Sequence, residues 1–221
     1  MTEAEWAVCH DSHPMLAFVQ RRGGVSNRKM LLFAVACCRR IWHLLYDGRS
    51  RKGVEAAERY ADGDGALGRL EQLRTDAARA AFHAGMDGAE GDNTWYAAAE
   101  AAASVAHCYS SADGVAIQAA SYAARARQPE HEAERAVQAD LLRCVSGSPF
   151  RRMSFVDEWR TETVRALAAQ MYESHEFGAM PILADALQDA GCNDEDILNH
   201  CRGTGPHVRG CWVIDLVLGK S

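Results

Sequence analysis

Proline is scarce, with 5 in 221 residues, and no apolar run is long enough to cross a bilayer. The first scarcity removes most of the points at which a helix would break, because proline lacks the amide donor and clashes with the preceding turn. The second excludes a membrane span. The longest apolar stretch, Met30 to Cys38, is far short of about 20 residues and runs straight into Arg39 and Arg40. Met1 to Gln20 holds no basic segment followed by an apolar one, so a secretory signal is not expected and the chain is read as cytoplasmic. Paired CxxC knuckles, an HExxH helix and a glycine-rich loop ending in Gly-Lys-Ser/Thr are all missing, which removes the commonest metal and nucleotide signatures. Positive charge is not in excess either. The net charge is −6, which disfavours non-specific binding to phosphate backbones.

What is present is the composition of a folded, helical protein. Hydrophobic residues make up 48% and charged residues 24%, both near globular values. Alanine, which loses least on entering a helix, is heavily used. The expected fold is all-α, with nine to eleven helices in a compact bundle or a short irregular solenoid. The chain is read as a single domain over 1–221, with a possible sub-boundary in the glycine-rich loop 85–93 and a C-terminal subregion 150–221. Charge is uneven: residues 1–52 carry a net +5, residues 53–150 a net −7 and residues 151–221 a net −4. The basic segment therefore has acidic sequence to pair with.

Individual helices follow from capping and periodicity. Ser26 caps a helix through Met30 to Leu45 whose middle is apolar on nearly every face, the pattern of a buried central helix. Asp47-Gly48 reads as its end, with the next helix from Val54 to Tyr60. The run Asp62-Gly63-Asp64-Gly65 lacks the later acidic ligands of a calcium loop and reads as a turn. Ala97 to Ala126 reads as two helices broken near Ser110 to Gly114. Ser154 with Asp157 three residues on reads as a variant capping box. Val164, Leu167, Ala168, Met171 and Tyr172 then follow at amphipathic spacing. Pro181 opens a helix ended by Gly191, Asn193 caps a short one, and Val208 to Leu218 forms the last, for which a strand is the alternative.

Several phrases carry a resemblance: MTEAEW at 1–6, NRKMLLFAVACCRRIWHLL at 27–45, RSRKGVEAAERYADG at 49–63, PILADALQDAGC at 181–192 and ILNHCRGTGPHVRGCWVIDLVLGK at 197–220. Together they resemble a large paralogous family, of no established activity, abundant in planctomycete-type bacteria. The resemblance implies a bacterial cytosolic setting and carries no cofactor or site residue to this chain.

In a reducing compartment the 8 cysteines count as thiols or ligands rather than as a disulfide framework. The densest constellation is Cys192, His200, Cys201, His207 and Cys211, five soft or borderline ligands within 20 residues. Zinc takes four such ligands tetrahedrally. The expected set draws on His200 or Cys201 with His207, Cys211 and Cys192, with His207 and Cys211 on one face of the last helix. The same residues admit a nucleophile reading, with Cys201 or Cys211 attacking, a histidine as base and Asp215 orienting it. The turn Arg202-Gly203-Thr204-Gly205-Pro206 is a weak candidate for an anion.

Because no catalytic set is complete, the favoured function is a non-catalytic interaction or adaptor module with a protein partner and without membrane or nucleic-acid contact. A zinc-binding domain or metal-dependent enzyme built on the C-terminal cluster is the alternative. A third reading is an anionic-ligand binder using Arg28, Lys29, Arg39, Arg40 and Arg51.

Overall fold

The computed structural model describes residues 1–64, 67–87, 94–106, 112–151 and 154–220. Among these the chain is all-α: twelve α-helices and three 3-10 turns, with no strand. The count is one above the nine to eleven expected; the shortest helices are the 6-residue α1 (Glu3–Val8) and the 7-residue α12 (Trp212–Leu218). No helix among the described residues is long and apolar enough to cross a membrane.

Contacts divide the chain into two compact units, Met1–Leu142 and Arg143–Ser221. The division falls inside α8 (His131–Ser146), where no change of composition announces it. Most of the glycine-rich loop read as a possible sub-boundary, residues 88–93, lies outside the described residues. So do Ser110 and Ser111, at the expected break between α6 (Thr94–Ala106) and α7 (Ala112–Arg125).

The N-terminal unit is built around α3 (Asn27–Arg40), whose residues Met30 to Cys38 are all buried. It packs on α7, on α6 and on α4 (Gly48–Ala61), while α5 (Leu67–Asp87) packs on α4 and α6. Alanine makes this close packing possible. A Cβ placed on Gly53 of α4 would lie 3.2 Å from Ala77 Cβ and 3.5 Å from Ala106 Cβ, so three helix backbones meet where only the smallest side chains fit.

The basic N-terminal segment finds its acidic partners within this unit. Arg28 Nη2 lies 3.0 Å from Asp62, Arg39 pairs with the buried Glu58, and Arg40 holds Glu134 through Nε at 2.8 Å and Nη2 at 2.9 Å. Arg51 lies over the Trp42 ring, 5.6 Å from its centroid. Arg28, Arg39, Arg40 and Arg51, proposed for an anionic ligand, are thus engaged inside the unit, and Asp62 serves an ion pair and a helix end.

Three boundaries differ from expectation, each because a stronger local interaction wins. Asp47-Gly48 starts α4 instead of ending α3: the Asp47 side chain accepts from the Arg49 amide at 2.8 Å. The helix α3 has already stopped at Arg40, before a 3-10 turn at Trp42–Leu44. Thr161, whose hydroxyl accepts from the Val164 amide at 3.3 Å, caps α9 (Glu162–Ser174), and Ser154 precedes only a 3-10 turn at Asp157–Trp159. Asp194 rather than Asn193 caps α11 (Glu195–Arg202), because its carboxylate accepts from two amides, of Asp196 and Ile197. A negative charge also suits a helix N-terminus better than a neutral amide.

The C-terminal unit packs α9, α10 (Met180–Asp189), α11 and α12 around one core that includes Val164, Met171, Tyr172, Leu183, Leu187, Ile197 and Ile214. The last segment is a helix and not a strand. It begins only at Trp212, because Gly210 at φ 91° and a turn bond from the Cys211 amide to the Val208 carbonyl, 2.8 Å, interrupt it first. Arg160 closes its other end by donating through Nη2 to the Leu216 carbonyl at 2.9 Å.

Candidate metal centre

Four side chains converge in the C-terminal unit: Cys144, His200, His207 and Cys211, with one ligand atom from each lying within 4.8 Å of all the others. Cys144 comes from the last turn of α8 and His200 from the last turn of α11. His207 stands in the turn between α11 and α12, and Cys211 is the N-cap of α12. Four separate local structures therefore end at one point.

Local rules explain each position. The Asp194 cap fixes the start of α11 and so the facing of His200. His207 and Cys211 do not share a helix face as the spacing suggested, because α12 starts after both; the turn closed by Cys211 and Val208 brings them together instead. Cys144 reaches the group because α8 ends on Gly147 at φ 65°. A Cβ there would meet the Trp212 ring at 3.3 Å. Glycine alone allows both the left-handed conformation and the close seat against Trp212. A Gly147→Ala variant is expected to lose about 1–2 kcal/mol from the backbone strain alone, read as a fall in the thermal midpoint with helix content unchanged at low temperature.

The spacing comes close to that of a tetrahedral ion. With Zn–S near 2.3 Å and Zn–N near 2.0–2.1 Å, the edges of such a site are about 3.3–3.8 Å. His200 Nε2 lies 3.2 Å from Cys211 Sγ, and Cys144 Sγ lies 4.0 Å from His207 Nδ1. The two imidazoles meet edge to face with centroids 4.9 Å apart, and His200 also packs on Trp212 at 5.2 Å. Both thiols are buried, at 2% and 0% exposure. His207 Nε2 is a buried atom with no hydrogen-bond partner, which is rarely left so in a folded protein. Burial pushes the Cys211 thiol up, but its contacts with Cys144, His200 and His207 outweigh that and hold it well below the ordinary thiol range. A site that favours thiolate is one prepared for a cation.

Of the five residues expected from sequence, His200, His207 and Cys211 belong to the group, while Cys192 and Cys201 are not among the four and lie in the hydrophobic core. Cys201 follows His200 on α11, about 100° around the helix, so the two cannot face one point. Burial pushes the thiols of both Cys192 and Cys201 up, as expected of small apolar core residues. Cys144 was not anticipated, because it precedes His200 by more than fifty positions, on an otherwise ordinary amphipathic helix.

Neither of the other two C-terminal candidates gains support. Cys201 and Cys211, the two candidate nucleophiles, have no exposed surface and Asp215 has 1%. In the Arg202–Pro206 turn, Arg202 turns back onto α10, donating to Asp185 at 3.1 Å and Gln188 at 2.6 Å, and Arg209 lies 4.4 Å from the Tyr172 ring centroid.

No protein-family model matches this chain, and comparison with curated proteins and with solved structures finds no match to either.

Proposed function

We propose that this chain is a non-catalytic helical module whose C-terminal unit is stapled by one zinc ion held by Cys144, His200, His207 and Cys211. The observation that carries the reading is the convergence of two thiols and two imidazoles within 4.8 Å. Two thiolates balance a divalent zinc, so the loaded site is neutral and its burial carries no net charge penalty. Four protein ligands complete the coordination shell and leave no position for a water or a substrate, which is the structural and not the catalytic kind of zinc site. The ion would tie the end of α8, the end of α11 and the start of α12 to one another.

A structural ion leaves the protein to act through its surface. Phe82 and Met86, one turn apart on α5, are 65% and 63% exposed, and a protein partner would cover such a pair. A chain that runs as a monomer and recovers no partner in pull-downs would count against this half of the reading.

The metal half is tested by elemental analysis of protein prepared under reducing conditions without a metal-affinity step. About one zinc per chain is expected, falling to background in Cys144→Ser and in His207→Ala. Native protein with no metal, and no uptake on adding zinc, would overturn it. Alkylation separates a closed site from a catalytic one: Cys211 should resist iodoacetamide in the loaded protein and react once a chelator has removed the ion.

A further inference from the structure

Between α5, α6 and α7 of the N-terminal unit lies a cleft of about 450 Å³ that the metal centre does not use. Small-molecule sites run from about 300 to 1,000 Å³, so the space suits a small ligand. Its apolar lining is alanine: Ala78 and Ala81 from α5 and Ala103 from α6. Its polar lining is Glu100 from α6 with Gln118 and Tyr122 from α7. A ligand can reach these groups, since Gln118 is exposed and Glu100 and Tyr122 are half-buried. Ser104 also lines the cleft, but its hydroxyl donates to the Glu100 carbonyl at 2.8 Å, which leaves it an acceptor.

The local sequence holds the Glu100 carboxylate in place. Tyr96 stands four residues earlier on α6, on the same face, and its hydroxyl donates to that carboxylate. The Tyr96 ring rests against α5 at Gly85, where a Cβ would lie 3.2 Å from Cε2 and 3.3 Å from Cδ2. Glycine at that position lets the ring seat closely. The Glu100 charge, with burial and the hydrogen bond behind it, pushes the Tyr96 phenol above its ordinary range. The phenol therefore keeps its proton at neutral pH and remains a donor to Glu100.

The lining defines the ligand. Among the described residues Glu100 is the one charged side chain that lines the cleft. Arg125, exposed and three residues after Tyr122, lies over that ring with its Cζ 5.5 Å from the centroid. A calcium ion takes six to eight oxygens, and three alanine methyls offer it nothing. An alkylammonium matches both parts of the lining. Its three N–H donors suit the oxygens of Glu100 and Gln118, and its chain suits the alanines.

We propose that this cleft binds a small organic cation, a primary ammonium on a short alkyl chain, with the ammonium on Glu100 and Gln118 and the chain against Ala78, Ala81 and Ala103. The proposal draws on the N-terminal unit alone and is independent of the zinc reading.

The test is titration of the full chain at neutral pH with n-butylammonium chloride, and with 1-butanol as the neutral partner of similar size, followed by amide NMR shifts. The ammonium is expected to give saturable shifts confined to residues around 78–85, 96–104 and 118–125. It should bind about tenfold more tightly than the alcohol, the difference between a charged and a neutral hydrogen bond. Glu100→Gln keeps the size of the side chain and an oxygen for Tyr96 but removes the charge, and should bring the two probes to similar affinity. Ala78→Phe, at an exposed position where the fold tolerates a larger side chain, should fill the cleft and abolish both. Absence of saturable ammonium shifts, shifts scattered over the acidic surface, equal affinity for the two probes, an ammonium preference that survives Glu100→Gln, or binding that survives Ala78→Phe would each overturn the proposal.

Discussion

The zinc-staple proposal predicts that a chelator unfolds the C-terminal unit locally. Ligand binding to the native state alone stabilises it by RT ln(1 + [L]/Kd), about 4 kcal/mol when free ion stands a thousandfold above Kd. For a unit the size of Arg143–Ser221, each kcal/mol is worth roughly 4–8 °C, so a strong chelator should lower the midpoint of this unit by roughly 15–30 °C. The effect is large because the four side chains gathered where α8, α11 and the start of α12 meet would lose the ion that ties these elements together. Hydrogen exchange read by mass spectrometry locates the change. Amides of α9 to α12 should lose protection on chelation, while those of α3, α6 and α7 keep theirs. Cys144→Ser should reproduce the chelated pattern without chelator. Unchanged protection in α11 and α12 after complete removal of zinc would mean that the core around Met171 and Ile214 suffices, and the staple reading would fail.

That expectation depends on Cys144, the one ligand that sequence reasoning could not reach. His200, His207 and Cys211 were legible because they crowd into a short stretch, where spacing is informative. A ligand from a distant helix leaves no such trace: Cys144, between Arg143 and Val145, reads as one more small apolar residue on a buried stripe. The same crowding over-supplied candidates, and only the facing of α11 separates His200 from Cys201. The central helix was legible for a comparable reason, since an unbroken apolar run from Met30 to Cys38 has no solvent-tolerant face to offer. A C-terminal subregion from residue 150 was legible, but the dividing point between Leu142 and Arg143 was not, because it crosses α8 without a glycine, a proline or a shift in composition. Charge patterning lay between these cases. The excess of basic residues before position 53 was evident, but whether it met a ligand or the protein's own carboxylates depended on which helices became neighbours.

Those neighbours make Arg40 a residue whose loss should cost the N-terminal unit measurable stability. Glu134 has a side chain only 1% exposed, and Arg40 grips it with two nitrogens. Arg40→Leu would leave that carboxylate buried. Breaking a fully buried ion pair by removing one partner costs about 3–5 kcal/mol. Here the expected loss is nearer about 2–3 kcal/mol, because the Arg40 side chain is 32% exposed and Arg127 Nε remains 3.9 Å from Glu134. Replacing both partners, Arg40→Leu with Glu134→Leu, removes the stranded charge and should recover most of the loss. Urea unfolding of the two single variants and the double variant measures this as a coupling energy. A double variant as unstable as the sum of the singles would show that the two residues act separately. Recovery would show that this basic patch is occupied in holding α3 to the start of α8, and that its charge is spent inside the fold instead of on an anionic ligand.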